Sequence, residues 1–185
     1  EYVGVRGVQL PVCVKSANGV QHSVATVGMY VTLPAQQKGT HMSRFLGLMQ
    51  QHTEPLSAES LPTLMREMLE TLHAPAGRID FEFPYFVLKT APVSGLESLL
   101  NYQVRWTVEH KNEETTVIQS VVVPVTSLCP CSKEISRFGA HNQRSHITIA
   151  AKLNSALPIE KLIRYAEQSA SCELWSTLKR VDEKY

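Results

Sequence analysis

The sequence has no long apolar run, almost no net charge and few cysteines. Its 185 residues contain no stretch of about 18 consecutive apolar side chains, so no transmembrane helix or membrane role is expected. The formal net charge of +1 gives no reason to expect a nucleic-acid surface or a polybasic anchor. With 43% hydrophobic and 19% charged residues, the chain is globular in composition and can form one core or two small ones.

Cysteine usage excludes a disulfide-stabilised secreted scaffold. The four cysteines are Cys13, Cys129, Cys131 and Cys172. This number, in a chain of this size, favours reduced thiols and a cytoplasmic location. The chain begins Glu-Tyr-Val, without Met or a charged-then-apolar leader, which we interpret as a trimmed or missing N-terminus rather than a processed signal peptide.

Hydrophobic patterning predicts an α+β fold in which strands come in pairs. Strands are predicted over residues 3–14, 20–33, 78–90, 101–110, 115–125 and 146–153. Helices are predicted over residues 41–52, 61–72 and from 159 onward. Thr40 is the expected N-cap of the first helix. Residues 91–100 are expected to form a loop, and residues 171–185 to begin a further helix.

The order strand, strand, helix, helix, strand, strand is followed by a second, incomplete run of the same order. This repeat of elements divides the chain into a first unit at residues 1–112 and a second at residues 113–185. The second run lacks its last strands, which would leave a sheet with open edges. We therefore expect the natural protein to continue past Tyr185, and a complete α+β domain with a C-terminal helix is the alternative.

The stretch SLCPCSKEISRFGAHNQRS, residues 127–145, contains the strongest candidate site. Cys129 and Cys131 are too close for an unstrained disulfide, and the paired spacing of a zinc finger is absent. One thiolate with His141 and a carboxylate would form the three-ligand arrangement of a catalytic metal. A buried free cysteine without any ligand role is the ordinary alternative.

Charged and hydroxyl side chains supply further candidates. Lys133, Arg137 and Arg144 in the same stretch favour an anionic, hydrogen-bonding ligand. The stretch KGTHMSR, residues 38–44, places cations and hydroxyls at a predicted helix start, where backbone N–H groups favour phosphate, although no Walker motif is present. Each of these residues alone is better explained as a solvated side chain. The late carboxylates Glu173, Asp182 and Glu183 are by default solvated charges.

Three segments resemble prokaryotic GTP cyclohydrolase type IB. They are residues 127–145, KGTHMSRF at residues 38–45 and CELWSTLKRVDEKY at residues 172–185. The resemblance spans essentially the whole chain. It implies a tunnelling fold of tandem ββααββ units with antiparallel sheets, assembled as a homotetramer with active sites between subunits. It also implies a C-terminus longer than that of this chain.

The resemblance also implies a site and a reaction. By motif, a divalent metal is held by Cys129, His141 and Glu183, with zinc expected and manganese or iron as alternatives. Cys131 is a neighbouring thiol and a further catalytic candidate. Candidate ligands of the GTP phosphates are Lys38, His41, Ser43, Arg44, Lys133, Arg137 and Arg144. The implied reaction hydrolyses GTP at C8 to 7,8-dihydroneopterin triphosphate and formate, at the start of folate and queuosine-type biosynthesis.

Two other functions stay open at this point. A related tunnelling-fold enzyme acting on a pterin or purine, such as a nitrile reductase, would use the cysteine as a covalent nucleophile and need no metal. In that case His141 would have no ligand role. A non-catalytic oligomeric binding module would keep the apolar patterning and bind no metal.

Overall fold

The computed structural model describes residues 2–33, 39–128, 131, 134 and 142–184. Strands in this part of the chain are β1 Tyr2–Ser16, β2 Gly19–Thr32, β3 Gly77–Thr90, β4 Glu97–Lys111, β5 Glu114–Leu128 and β6 Asn142–Lys152. Helices are α1 Met42–Gln51, α2 Leu61–Leu72 and α3 Ile159–Ser169, and a 3₁₀ turn lies at Asp182–Lys184. Within the described residues, no helix combines the length and the apolar character needed to cross a membrane.

The strands form one six-stranded sheet in chain order. β1 and β2 are antiparallel, with Ser16 opposite Gly19, and β2 and β3 are antiparallel, with Val31 opposite Gly77. The β4–β5 turn consists of two residues, Asn112 and Glu113, with φ values of 51° and 65°. Positive φ at both positions matches the twist of a tight hairpin. The predicted order strand, strand, helix, helix, strand, strand is confirmed.

Helix α2 forms where the sequence predicts it because its apolar residues recur at helical spacing. Its buried side chains are Leu61, Leu64, Met65, Met68 and Leu72. Proline stands in its first turn, where no intrahelical N–H bond is lost. The helix ends at His73, whose left-handed φ of 51° lets the backbone N–H bond back to Glu70 and Leu69.

The chain forms two compact units, each assembled from three stretches. Unit 1 comprises Glu1–Pro84, Val104–Ser120 and Ala150–Pro158. Unit 2 comprises Tyr85–Gln103, Val121–Ile149 and Ile159–Tyr185. Because these units interleave along the chain, they do not test the predicted boundary between residues 112 and 113, which stays a prediction.

Each unit has a core of its own. In unit 1, buried side chains of β2 and β3 accompany those of α2, and the rings of Phe83 and Trp106 meet edge to face with centroids 4.8 Å apart. Trp106 Nε1 donates to Gln119 Oε1 at 2.8 Å, which satisfies a buried polar pair. In unit 2, the buried face of α3, with Leu162 and Ile163, belongs to a smaller core.

Several element boundaries differ from the sequence predictions. The predicted loop at residues 91–100 is shorter, because Ala91 N–H donates to Leu96 O at 2.9 Å and closes a tight turn before β4. β6 begins at Asn142 rather than at residue 146. The N-cap of α1 is His41, which makes no side-chain capping bond, rather than Thr40.

The prediction of a helix over residues 171–185 is wrong. Among the described residues of this stretch, only Asp182–Lys184 are helical, in a single 3₁₀ turn. The backbone of Cys172 instead pairs with Thr126, and Trp175 Nε1 donates to Thr90 O at 3.0 Å. These distant partners hold the stretch in an irregular conformation, which local spacing of apolar residues does not reveal.

Candidate active site

Four strand ends of unit 2 meet at one edge of the sheet. β3 ends at Thr90, β4 begins at Glu97, β5 ends at Leu128 and β6 begins at Asn142. Because sequential neighbours in this sheet run antiparallel, these ends share an edge. The edge is the natural place to look for the predicted site, because the cysteine-containing stretch connects two of these ends.

Strands β5 and β6 bring the two ends of that connection together. Leu153, which directly follows β6, donates its N–H to Val117 O near the start of β5 at 2.8 Å. β5 and β6 are hydrogen-bonded neighbours in the sheet, so the end of β5 at Leu128 and the start of β6 at Asn142 lie at the same edge. Cys129 directly follows β5 in the sequence, and His141 directly precedes β6. Both predicted metal ligands themselves lie outside the described residues.

The C-terminal segment, defined as residues 170–184, contacts the same edge through polar groups. Thr126 N–H donates to Cys172 O at 3.0 Å, and Cys172 N–H donates to Thr126 O at 3.3 Å. Ser176 Oγ donates to Ser98 Oγ at 2.6 Å, at the start of β4. The segment therefore extends from the end of β5 to the β3–β4 turn within unit 2.

Asp182 fastens the end of this segment to the β3–β4 turn. Its side chain is only 5% exposed, and its Oδ1 accepts bonds from the backbone N–H groups of Val93 at 3.0 Å and Ser94 at 2.8 Å. Its Oδ2 accepts from Ser94 Oγ and from Lys179 N–H, each at 2.7 Å. Burial by itself raises the pKa of Asp182, but the bonds from Ser94, Lys179 and Val93 outweigh it and lower the pKa to about 2. The default interpretation of Asp182 as a solvated charge is therefore wrong.

A second polar cluster ties the C-terminal segment to α3 and β3. Lys89 Nζ bonds to Glu167 Oε1 at 2.9 Å and also forms an ion pair with Glu173. Tyr102 OH donates to the same Glu167 oxygen at 2.7 Å. Burial is the larger cause and this bond the second cause of a raised pKa of Tyr102. Glu173 is thus an ion-pair partner with a 40% exposed side chain rather than a freely solvated charge.

The described site candidates of unit 2 are exposed. Cys131 is a free thiol on the surface, Arg144 lies near the start of β6, and Glu183 lies on the 3₁₀ turn beside Asp182. Among the described residues, no three His, Cys, Asp or Glu side chains form a group that would hold a metal. Of the predicted ligand set, only Glu183 belongs to that part of the chain. Glu183 lies next to Asp182, which binds the β3–β4 turn, and a carboxylate is one donor of the thiolate, imidazole and carboxylate set that suits zinc.

The candidate phosphate ligands of unit 1 lie at the start of α1. His41 precedes the helix, Ser43 and Arg44 are in its first turn, and all three are exposed. Arg44 Nη1 donates to Thr71 O at 3.4 Å, a long bond that leaves the guanidinium available to a ligand. Lys38, Lys133 and Arg137 lie outside the described residues.

One pattern in the sequence indicates a polar cluster that the site predictions did not include. Inward positions of β3 alternate from Ile79 to Tyr85, and the same alternation points Lys89 inward. A lysine at an inward position needs an acidic partner, so the sequence predicts an ion pair at Lys89 without identifying the acidic residues. The bonds of Asp182 to Ser94 had no such signal, because the two residues are 88 positions apart.

Comparisons with known proteins agree with the motifs. The family model described as type I GTP cyclohydrolase folE2 matches residues 1–185. Relatives named GTP cyclohydrolase FolE2 are 57% identical in Herminiimonas arsenicoxydans, 56% in Ralstonia nicotianae and 55% in Cupriavidus necator. Each alignment covers 99% of this chain, and they cover 70%, 68% and 68% of those relatives.

A solved structure supports the fold. Uricase from Arthrobacter globiformis superposes with a TM-score of 0.52 over 93% of this chain and 70% of its own. The sequences are 10% identical, so this likeness concerns the fold alone, and it confirms the predicted α+β tunnelling fold. With the family match over residues 1–185 and relatives above 50% identity, the chain belongs to the type I GTP cyclohydrolase FolE2 family.

Proposed function

We propose that this protein is a GTP cyclohydrolase of type IB. It opens the imidazole ring of GTP hydrolytically at C8 and yields 7,8-dihydroneopterin triphosphate and formate, at the start of folate and queuosine-type biosynthesis. The family match over residues 1–185 carries this proposal. The chemistry of residues 127–145 supports it, because Cys129 directly follows β5 and His141 directly precedes β6 in the sequence, and the carboxylate of Glu183 belongs to the C-terminal segment that contacts the same edge.

Three residues would hold a divalent metal: Cys129, His141 and Glu183. When bound, the metal supplies Lewis-acid activation of water for attack at C8. The single thiolate favours zinc, whereas the imidazole and carboxylate also suit manganese or iron. Glu183 is the ligand whose surroundings are described, and its backbone is fixed beside the β3–β4 turn. Cys131 supplies an exposed thiol two residues from Cys129, close enough along the chain to assist a proton transfer.

The triphosphate of GTP needs cationic partners. Arg144 is exposed near the edge of unit 2, and Lys133 and Arg137 precede it in the same connection. His41, Ser43, Arg44 and Lys38 form a second group around the start of α1. Arginine suits this role because its planar guanidinium binds phosphate oxygens in pairs.

The test measures metal content and formate release on the same sample of reduced, full-length protein supplied with GTP. We expect stoichiometric metal and formate production. Cys129→Ala removes the thiolate, so it should lose both bound metal and turnover. Cys172→Ala is the matched control, because Cys172 is an exposed free thiol whose backbone, not side chain, contacts Thr126.

The outcomes separate the three candidate functions. A metal-free protein that still releases formate would make Cys129 a nucleophile and return His141 and Glu183 to structural roles. Metal retained by Cys129→Ala would contradict the ligand set. A protein that neither binds metal nor consumes GTP would be the oligomeric binding module.

The assembly is proposed to be a homotetramer with sites shared between subunits, in the cytoplasm. The three cysteines in the described part of the chain are free thiols, which agrees with a reducing compartment. Light scattering on the eluted protein tests the tetramer. Mixing inactive Arg44→Ala with inactive Cys129→Ala tests the sharing: restored turnover in mixed assemblies supports it, and no restoration contradicts it.

A further inference from the structure

We infer that Asp182 and Ser94 are positioning residues for the metal ligand Glu183. The β3–β4 turn binds the Asp182 carboxylate and thereby fixes the backbone from which the next residue projects. This inference rests on the proposed function, because it takes Glu183 as a ligand. Asp182 and Ser94 are not ligands themselves, and their role is to keep Glu183 in place.

The bonds to Asp182 come from two directions. From the β3–β4 turn, Val93 and Ser94 donate two backbone N–H groups and one hydroxyl at 2.7–3.0 Å. From its own segment, Lys179 N–H donates to Oδ2 at 2.7 Å. A carboxylate has about four acceptor sites, so this one is fully used within the protein. Asp182 therefore serves as an anchor and has no capacity left for a ligand.

Glu183 is tied to this anchor through the backbone. Its N–H donates to Lys179 O at 3.3 Å, and Asp182 N–H donates to the same oxygen at 2.9 Å. The anchor carboxylate in turn accepts from Lys179 N–H. These bonds close a small ring through the three residues, so a shift of Asp182 displaces Glu183 with it.

The turn that carries Glu183 has little stability of its own. It is a 3₁₀ turn of three residues, and so short a helical piece is marginal without tertiary contacts. Val181 beside it is 52% exposed, so apolar packing contributes little there. The contacts of Asp182 with the β3–β4 turn are thus the main restraint on where Glu183 lies.

Ser94 completes the arrangement from the other side. Its Oγ donates to Asp182 Oδ2 and accepts from Leu96 N–H at 3.3 Å, so one hydroxyl stabilises both the turn and the anchor. Groups that orient a metal ligand typically contribute about 10–100-fold to metal affinity. We therefore expect Ser94→Ala and Asp182→Asn to weaken metal binding by about tenfold or more, through a faster loss of the carboxylate ligand.

The experiment uses metal-depleted full-length protein and cobalt(II) as the probe. Affinity is measured by competition with a chelator, and the visible absorption bands of cobalt report the coordination. The variants are Ser94→Ala, Ser94→Thr, which keeps the hydroxyl, and Asp182→Asn. Ser176→Ala is the matched control, because it removes a side-chain bond from the same segment seven residues before Glu183. Thermal unfolding of the metal-free forms shows whether each variant is folded.

The expected result is weaker cobalt binding with altered bands in Ser94→Ala and Asp182→Asn, recovery in Ser94→Thr, and wild-type binding in Ser176→Ala. Equal weakening in Ser176→Ala would overturn the inference, because the effect would then be general loosening of the segment. Wild-type cobalt affinity in folded Ser94→Ala and Asp182→Asn would also overturn it.

Glu183→Ala separates this inference from the proposed function. If Glu183→Ala loses affinity while Ser94→Ala and Asp182→Asn keep it, Glu183 is a ligand and only the positioning role fails. If Glu183→Ala binds cobalt as tightly as the wild type, the ligand assignment itself fails.

Discussion

Helix α2 in unit 1 and the C-terminal segment in unit 2 are held in place by different forces. α2 buries five apolar side chains at helical spacing. The C-terminal segment is bound through a backbone pair at Cys172, an ion pair at Glu173 and a buried carboxylate at Asp182. Apolar burial is non-directional and tolerates small shifts, whereas hydrogen bonds require defined geometry. The segment that carries a predicted metal ligand is thus positioned mainly by directional polar contacts rather than by apolar burial.

A cavity in unit 1 tests whether apolar burial holds α2 in place. Leu64→Ala removes a fully buried side chain from α2 and should lower the free energy of unfolding by about 2–5 kcal/mol. Urea titration followed by circular dichroism measures the change. Glu67→Ala, on the exposed face of the same helix, should change stability by less than about 0.5 kcal/mol. A similar loss in both variants would mean that α2 is not stabilised mainly by its buried face.

In unit 2, the corresponding test removes the charge of a side chain and keeps most of its buried volume. Lys89→Met leaves Glu167, whose side chain is 12% exposed, without its cation. We expect a loss of about 2 kcal/mol, below the 3–5 kcal/mol of a fully buried pair, because Glu173 is partly solvated. Adding Glu167→Gln should recover part of this loss, since it removes the unpaired charge. An additive double variant in the urea titration would contradict coupling between the two residues.

The smallest expected effect is a pH dependence in the same cluster. Burial and the bond to Glu167 raise the pKa of Tyr102. Its contribution to stability is fully present below the unfolded-state pKa of about 10 and is lost as the pH rises toward the folded-state value. Tyr102→Phe should therefore show a shallower loss of stability above about pH 10 than the wild type. Tyr165→Phe, at a 48% exposed position, should keep the wild-type slope. Equal slopes for all three proteins would contradict the shift.

The contrast between the two regions also explains what the sequence predicts. The spacing of Leu61, Leu64 and Met65 predicts both that α2 is a helix and which face it buries, because the residues that a helix buries recur at a regular local spacing. The turn residues between β4 and β5 do the same for that hairpin. The fold class therefore follows from local patterning, whereas the family follows from the motifs at residues 38–45, 127–145 and 172–185.

The local sequence pattern does not predict the polar contacts of unit 2. The sequence predicts a helix over residues 171–185, of which the described part forms only a 3₁₀ turn at Asp182–Lys184. It also predicts a solvated carboxylate at Asp182, which is buried instead. Its partners Val93 and Ser94 lie far away in the chain, and nothing near Asp182 distinguishes it from a surface acid. The candidate ligands Cys129, His141 and Glu183 come from motif resemblance, and their coordination stays a prediction.

The interleaving of the two units constrains how the protein is made. Unit 1 includes Ala150–Pro158, so it has all of its parts only after residue 158 has been synthesised. Unit 2 needs Ile159–Tyr185 as well, and begins only at Tyr85. Independent domains fold one after the other as they emerge. Here, the apolar faces of early strands stay exposed until these later residues have been synthesised, which makes aggregation of the nascent chain a greater risk.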